Sequence, residues 1–355
     1  MAFVCPRQSG LGIISVSHCG GSDNWTMATD VDTPTQTLDT AVHSTYPIHF
    51  HGRGGSLFGI QIVNLFLSLI TLGIYSFWGR VKVRRYLASQ SEFAGDRFAY
   101  HGTGQELMIG WTKAMVLFGI PLFVLAVLQV IVGMESDLFD VLQILIYIVV
   151  GIFIPVAMVN ARRYRLSRLS WRGVRFSFRG CVRDFIAIYI KGWLLTVVSL
   201  GFYYPFWQNR RQTFMVGNSF FGNQKFAFDG RGSDLFLTFV LHMILTLPTF
   251  FLCWLWYWAR VQRYYADHTS FQAARLRSTV TGGGVFGLWF GNAILFILTL
   301  GLGWSWITVR NMRYYAIHLT MVGALDVAGV MQEVQTATAT GEGLSGFLDL
   351  DFDLG

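Results

Sequence analysis

Six long apolar runs punctuate the chain, at roughly 57–79, 114–133, 139–159, 185–207, 235–258 and 285–307. Each has the length that about 30 Å of hydrocarbon demands of a helix rising about 1.5 Å per residue. Trp and Tyr crowd the ends of these runs, among them Tyr75, Trp78, Tyr203, Trp207, Trp254, Trp258 and Trp304, as amphipathic rings do at headgroup depth. The pattern predicts an all-α polytopic membrane protein with about six transmembrane helices. Short aromatic-glycine β segments and basic helical stems are expected at the membrane interface, and the whole is internally repeated. The localisation that follows is multi-pass in a bacterial inner membrane.

Composition agrees, with 53% hydrophobic and only 13% charged residues, far less charge than a water-soluble fold carries. Charge is also unevenly placed. Between Phe50 and Arg313 stand 26 Lys/Arg and 10 Asp/Glu, while the two ends hold Arg7 and the remaining ten acids. Basic residues between apolar spans read anionic headgroups and set topology, so the expected partner is the lipid bilayer rather than nucleic acid. Strict alternation of six spans would place both termini outside. The acidic turn holding Glu135, Asp137 and Asp140 should also face outward.

Three short units recur. Phe50-His51-Gly52, Tyr100-His101-Gly102, Phe178-Arg179-Gly180 and Phe228-Asp229-Gly230 close strand-like segments before the spans. Arg85-Tyr86, Arg163-Tyr164, Arg263-Tyr264 and Arg313-Tyr314 end basic stems, and these eight residues are the expected lipid or phosphate contacts at the interface. Thr71-Leu72-Gly73-Ile74-Tyr75, Ser199-Leu200-Gly201 and Thr299-Leu300-Gly301 lie inside apolar runs. There glycine either breaks the helix or, the preferred reading, allows close helix packing. The stems pose a conflict: those after spans one, three and five share a face, and the one after span six does not. Either the repeats are inverted or one run fails to cross.

These motifs, most closely between Phe50 and Gly102 and with degenerate copies to about Tyr315, resemble the YjgN-like family of bacterial inner-membrane proteins. The resemblance implies the membrane architecture and supplies no activity. Residues 1–45 read as a disordered tail, with 1–26 an extension upstream of a second start at Met27. Residues 46–320 form the repeated transmembrane domain, and 321–355 an acidic disordered tail.

Little chemistry is visible. No carboxylate lies inside a run beyond Asp140 at the edge of the third, and His51 and His101 are replaced by Arg179 and Asp229 in the other copies, an exchange a shared metal site would not tolerate. No catalytic residue, metal or cofactor is expected, and the chain does not read as an enzyme. The intramembrane polar residues Asn64, His242 and Asn292 are the remaining candidates, and Lys191 near the start of the fourth run can snorkel to the headgroups. They motivate a transporter or channel-like protein for a small or amphipathic solute as the leading expectation. A non-catalytic scaffold or lipid-interacting protein is the alternative, and an intramembrane enzyme comes third. The solute is not specified, and a homo-oligomer is compatible with the pattern.

Overall fold

The computed structural model describes residues 45–132, 137–326 and Val330. Ten short strands close an antiparallel barrel: β1 (Thr45–Phe50), β2 (Ser91–Phe93), β3 (Asp96–Tyr100), β4 (Leu169–Trp171) and β5 (Val174–Phe178), then β6 (Ser219–Phe221), β7 (Gln224–Phe228), β8 (Thr269–Phe271), β9 (Ala274–Ser278) and β10 (Leu319–Val322). Strand neighbours in sequence are neighbours in the barrel, and β1 closes it by pairing with β10, Thr45 opposite Val322. Two-residue turns join each short strand to the long one after it. At Ala94-Gly95 and Arg172-Gly173 both residues have positive φ, which matches the turn to the strand twist.

Every helical connection leaves from the opposite rim. The helices are α1 (Gly54–Ile70), α2 (Ser76–Gln90), α3 (Gly104–Ala114), α4 (Ile120–Val132), α5 (Asp137–Arg168), α6 (Val182–Val198), α7 (Tyr204–Gly217), α8 (Gly232–Leu245), α9 (Cys253–Asp267), α10 (Gly282–Leu298) and α11 (Trp304–Ile317). The chain thus runs through five successive strand–hairpin–strand units, from β1-α1-α2-β2 to β9-α10-α11-β10. In the second, α3 passes through a wider turn at Met115–Gly119 into α4 and the two act as one arm. Each helix packs on its neighbours in sequence, and α11 packs on α1, so the hairpins stand in a closed ring above the barrel.

The structure corrects the expected fold class. The chain is not all-α, and the β segments are not interfacial ornaments but the strands of one closed barrel. Nor are there six spanning helices. Among the described residues only two helical arms are long and apolar enough to cross a membrane, Gly104–Ile131 and Asp137–Arg168. The physical reason is chain reversal inside the apolar runs. Runs 57–79, 185–207, 235–258 and 285–307 each contain the end of one helix, a tight turn and the start of the next, so their length is shared between an outgoing and a returning arm. The conflict over the stems disappears with it, because every arm returns to the same rim. Strict alternation of six spans fails with the reversals, although the two described ends do lie on one side, since β1 begins and β10 ends on the turn side of the barrel. The two tails, apart from Thr45, residues 321–326 and Val330, lie outside the described residues.

The reversal is built by backbone conformation rather than by close packing. Leu72 and Gly73, Leu200 and Gly201, and Leu300 and Gly301 all have positive φ, and in the fourth unit Phe250 and Phe251 take their place. A Cβ at Gly73 or Gly201 would meet nothing within 4 Å, so these glycines are there for their φ and not for a neighbour.

The barrel lumen is filled. Phe93, Trp171, Phe221, Phe271 and Met321, the third residues of the five short strands, form one buried cluster with Ala274 and Val330. Ile48, Phe98, Phe176, Phe226 and Leu276 of the long strands pack against it. Rings stack across strands, Trp171 on Phe93 at 5.2 Å and Phe221 on Phe176 at 4.8 Å between centroids. Replacing Phe221 by Ala should therefore cost about 3 kcal/mol, the usual scale for emptying an aromatic core position. It should be read as a lowered melting temperature of the detergent-solubilised protein, and an unchanged melting temperature would mean that the lumen is not a packed core.

Candidate functional site

The features that face the surroundings are the hairpin tips, and the residues that hold them there are the stems. Leu72, Leu200, Phe250 and Leu300 at the tips are 94%, 80%, 86% and 91% exposed. Apolar side chains at a chain reversal leave the peptide groups with no water to bond if the tip enters hydrocarbon, so the turn must satisfy itself. It does. Gly73 N–H donates to Ser68 O at 2.7 Å, Gly201 N–H to Thr196 O at 2.7 Å, Phe251 N–H to Thr246 O at 2.9 Å and Gly301 N–H to Phe296 O at 2.9 Å. A hydroxyl then spans the break: Thr71 Oγ1 donates to Leu67 O at 2.7 Å and accepts from Tyr75 N–H at 3.0 Å. Thr299 repeats both bonds, at 2.6 and 2.8 Å. Sequence reading noted the Thr-Leu-Gly words but missed the hydroxyl's role. The signal was the recurrence of Thr or Ser at 71, 199, 249 and 299, four or five residues before the helix resumes.

The Arg-Tyr stems turn out to be engaged with the protein. Arg85 donates to Gly102 O at 3.4 Å, Arg163 to Gly180 O at 2.8 Å and Arg313 to Gly52 O at 3.0 Å, in each case the glycine that ends the next unit's strand motif. The last of these ties the fifth unit to the first. In the third unit Thr213 stands at the arginine position, and Asn209 instead reaches Gly230 O at 2.9 Å. Arg263 is exposed and makes no such bond among the described residues.

The tyrosines act within their own unit. Tyr86 Oη accepts from Arg53 N–H at 2.8 Å, at the start of α1. Tyr164 donates to Glu106 Oε2 at 2.8 Å, and the same carboxylate pairs with Arg168 at 2.7 Å. Glu106 also completes a capping box with Thr103 at the start of α3. Tyr264 accepts from Arg231 N–H and donates to Asp234 Oδ2 at 2.7 Å. Burial, then the bond to Asp234, pushes the Tyr264 hydroxyl up to about 12, while the tyrosine proton holds the Asp234 carboxyl below its ordinary value. Tyr314 stacks on His318 at 4.3 Å, its hydroxyl beside Gly284.

The three intramembrane candidates occupy one position in three different hairpins. Asn64, His242 and Asn292 each follow the first residue of their helix, Gly54, Gly232 and Gly282, by ten places. Asn64 donates to Gly79 O at 3.2 Å and Asn292 to Asn311 Oδ1 at 2.6 Å, each fastening the two arms of its hairpin. His242 bonds Thr238 O of its own helix at 2.7 Å and lies 5.7 Å from the Tyr257 ring. The structure does not bring the three together. His51 bonds Glu92 at 2.8 Å and His101 bonds Ser170 at 2.8 Å, so these histidines link strands.

Comparison with known proteins bears on the reading at this point. A family model described as "Bacterial protein of unknown function (DUF898)" matches residues 45–256 and 237–347. Inner membrane protein YjgN of Salmonella typhimurium is 30% identical over 163 residues, covering 42% of this chain and 39% of that protein. Inner membrane protein YjgN of Escherichia coli K12 is 34% identical over 148 residues, covering 42% of this chain and 34% of its own length. The matched stretch thus spans less than two-fifths of either relative. No solved structure matches. The YjgN-like resemblance carried by the motifs holds.

Two measurements test the stems. Replacing Arg313 by Ala should destabilise the protein by about 1.5 kcal/mol, the scale of a hydrogen bond from a charged donor. The loss should be equal in neutral and in anionic mixed micelles, and a loss confined to anionic lipid would make Arg313 a headgroup contact instead. Because the folded Asp234 pKa lies below its unfolded value, its contribution is present above the ordinary carboxylate pKa near 4 and is lost as pH falls through the lower folded value. Acid titration of melting temperature should show that loss in the wild type and a smaller one in Tyr264→Phe. Superimposable curves would dissociate the two groups.

Proposed function

The chain belongs to the DUF898 family of bacterial proteins, and its curated relatives are inner-membrane proteins; from that premise we propose that it is a non-catalytic, lipid-interacting scaffold of the inner membrane. One long hairpin crosses the bilayer and four short ones dip into a single leaflet. Arms of 17 residues such as α1 rise about 25 Å, and part of that is spent beside the barrel, too little to reach the far side of about 30 Å of hydrocarbon. The two long arms are apolar and outward-facing, only 6% and 22% of their apolar windows being buried, which supports lipid rather than a protein core as their surroundings. Most basic residues sit on the strands and the barrel-side helix ends, with Arg80, Lys82, Lys113 and Lys191 farther along the arms, and Asp137 and Asp140 stand at the far end of the long hairpin. That asymmetry favours a cytoplasmic barrel.

The observation that carries the scaffold reading is the filled lumen. A path along the barrel axis would have to displace Phe93, Trp171, Phe221 and Phe271, and the intramembrane polar residues lie in separate hairpins, Asn64 and Asn292 each fastening two arms and His242 bonded within its own helix. Both points weigh against the transporter reading.

In a background without native cysteine, single cysteines at Leu72, Leu200 and Leu300 should resist a membrane-impermeant maleimide from either side. A cysteine at Asp137 should react only from the periplasm, and one at Asn223 in the β6–β7 turn only from the cytoplasm. Labelling of the tips from the periplasm would overturn the one-leaflet insertion. Protein-dependent flux of a small solute across sealed proteoliposomes would restore the transporter.

A further inference from the structure

Between the third and fourth units, α6, α7 and β7 enclose a groove of about 660 Å³. Three cations line it, Lys191 from α6, Arg210 from α7 and Lys225 from β7, and no acidic residue does. Ile188, Phe214 and Phe228 supply an apolar wall. None of the three cations has a hydrogen-bond or ion-pair partner among the described residues. That is not the rule for these positions. Lys225 is the second residue of β7, and Arg275, the second residue of β9, is paired with Asp229 at 2.8 Å.

The fifth unit shows how two of the positions meet. Gly291 follows the start of α10 by nine places, as Lys191 follows the start of α6, and Arg310 precedes β10 by nine places, as Arg210 precedes β6. A Cβ at Gly291 would fall 2.5 Å from Nη1 of Arg310, so these positions face each other across the hairpin. In the third unit a lysine replaces that glycine, setting two like charges face to face, an arrangement that is unfavourable until an anion lies between them. Thr213, also in the lining, stands where the other units carry Arg85, Arg163, Arg263 and Arg313, so a smaller side chain leaves the space open.

We propose that this groove binds the phosphate of an anionic phospholipid, Lys191, Arg210 and Lys225 holding the phosphate oxygens and the apolar wall taking the glycerol and the first acyl carbons. Ammonium and guanidinium groups donate charge-assisted hydrogen bonds to phosphate, and the wall disfavours a small hydrated ion. The proposal rests on the lipid-interacting reading above for the depth of the groove. A soluble phosphate would satisfy the cations but not the wall.

The full chain in non-ionic detergent can be titrated with dihexanoyl-phosphatidylglycerol, dihexanoyl-phosphatidylcholine and inorganic phosphate, with binding followed by calorimetry. Saturable binding of the phosphatidylglycerol is expected, at least tenfold tighter than either of the others. Lys191→Glu, which gives Arg210 an internal partner, should weaken it at least tenfold without lowering the melting temperature of the lipid-free protein. The Lys191→Gln/Arg210→Gln double variant should do the same. Wild-type affinity in both variants would overturn the site, and equal affinity for inorganic phosphate would assign it to a soluble anion. Insertion into neutral phosphatidylcholine vesicles separates the two readings. Insertion retained while the groove fails leaves the scaffold standing, and insertion lost while the groove binds removes the scaffold alone.

Discussion

A peptide group in hydrocarbon has no water to bond, and every reversal of the chain there must close its own hydrogen bonds. The Thr/Ser-Leu-Gly turns meet that condition with two residues of left-handed backbone and one side-chain hydroxyl. The rest of the architecture depends on it. Only because four apolar runs turn back and the other two pair into one hairpin does every second arm return to the rim from which the first one left. Only because all arms share that rim can ten strands of three to six residues pair in sequence order and close. A chain that crossed at every run would deliver successive strands to opposite faces, and no barrel would form.

Closure also needs each unit to recognise the next, and the sequence solves this by size exchange. The first helical glycine of one unit receives an aromatic ring from the unit before it. A Cβ at Gly54 would fall 2.3 Å from Trp306, one at Gly104 2.6 Å from Trp78, and one at Gly282 2.2 Å from Trp256. Gly232 meets Phe206 in the same way, its ring 2.9 Å and its Cα 2.8 Å from where a Cβ would stand. At the remaining boundary the corresponding residues are Val156 and Val182, neither large nor absent, as expected if volume rather than residue type is what the interface conserves. The aromatic-x-Gly motif has a similar origin. The ring of Phe50, Tyr100, Phe178 or Phe228 lies over the glycine two residues on, within 2.4 to 2.6 Å of where a Cβ would stand, and the same glycines at 52, 102 and 180 offer their carbonyls to the preceding unit's arginine.

Much of this was legible in the sequence as vocabulary but not as geometry. The aromatic-glycine, Arg-Tyr and Thr-Leu-Gly words are the strand ends, the inter-unit fasteners and the reversals, and their order along the chain is the order of the fold. What hydropathy could not reveal is direction. A run of about twenty apolar residues looks the same whether it crosses once or goes in and out, and only the φ of Leu72, Leu200 and Leu300 decides it. Arg85, Arg163 and Arg313, expected at the headgroups, stand at helix bases where a guanidinium also reaches a neighbouring unit's carbonyl. The short strands escaped because three residues are too few to display alternation. Their period was nonetheless available: Trp171, Phe221, Phe271 and Met321 follow one another at intervals of 50 residues.

That period also explains why one hairpin differs. From Phe93 to Trp171 the interval is 78 residues rather than 50, so the second unit carries 28 more than its siblings. Shared between two arms, 14 residues each at about 1.5 Å per residue extend the hairpin by about 21 Å. This converts an arm of about 25 Å into one longer than the hydrocarbon it must cross. The same unit lacks the Thr-Leu-Gly reversal and passes at that depth through the wider turn at Met115–Gly119, with the acids Asp137 and Asp140 beyond it. The long hairpin thus repeats the short ones with its arms extended outward, to a far end where Asp137 and Asp140 stand. Added length at one place in a five-unit ring is enough to give one hairpin arms of spanning length while the other four keep theirs short.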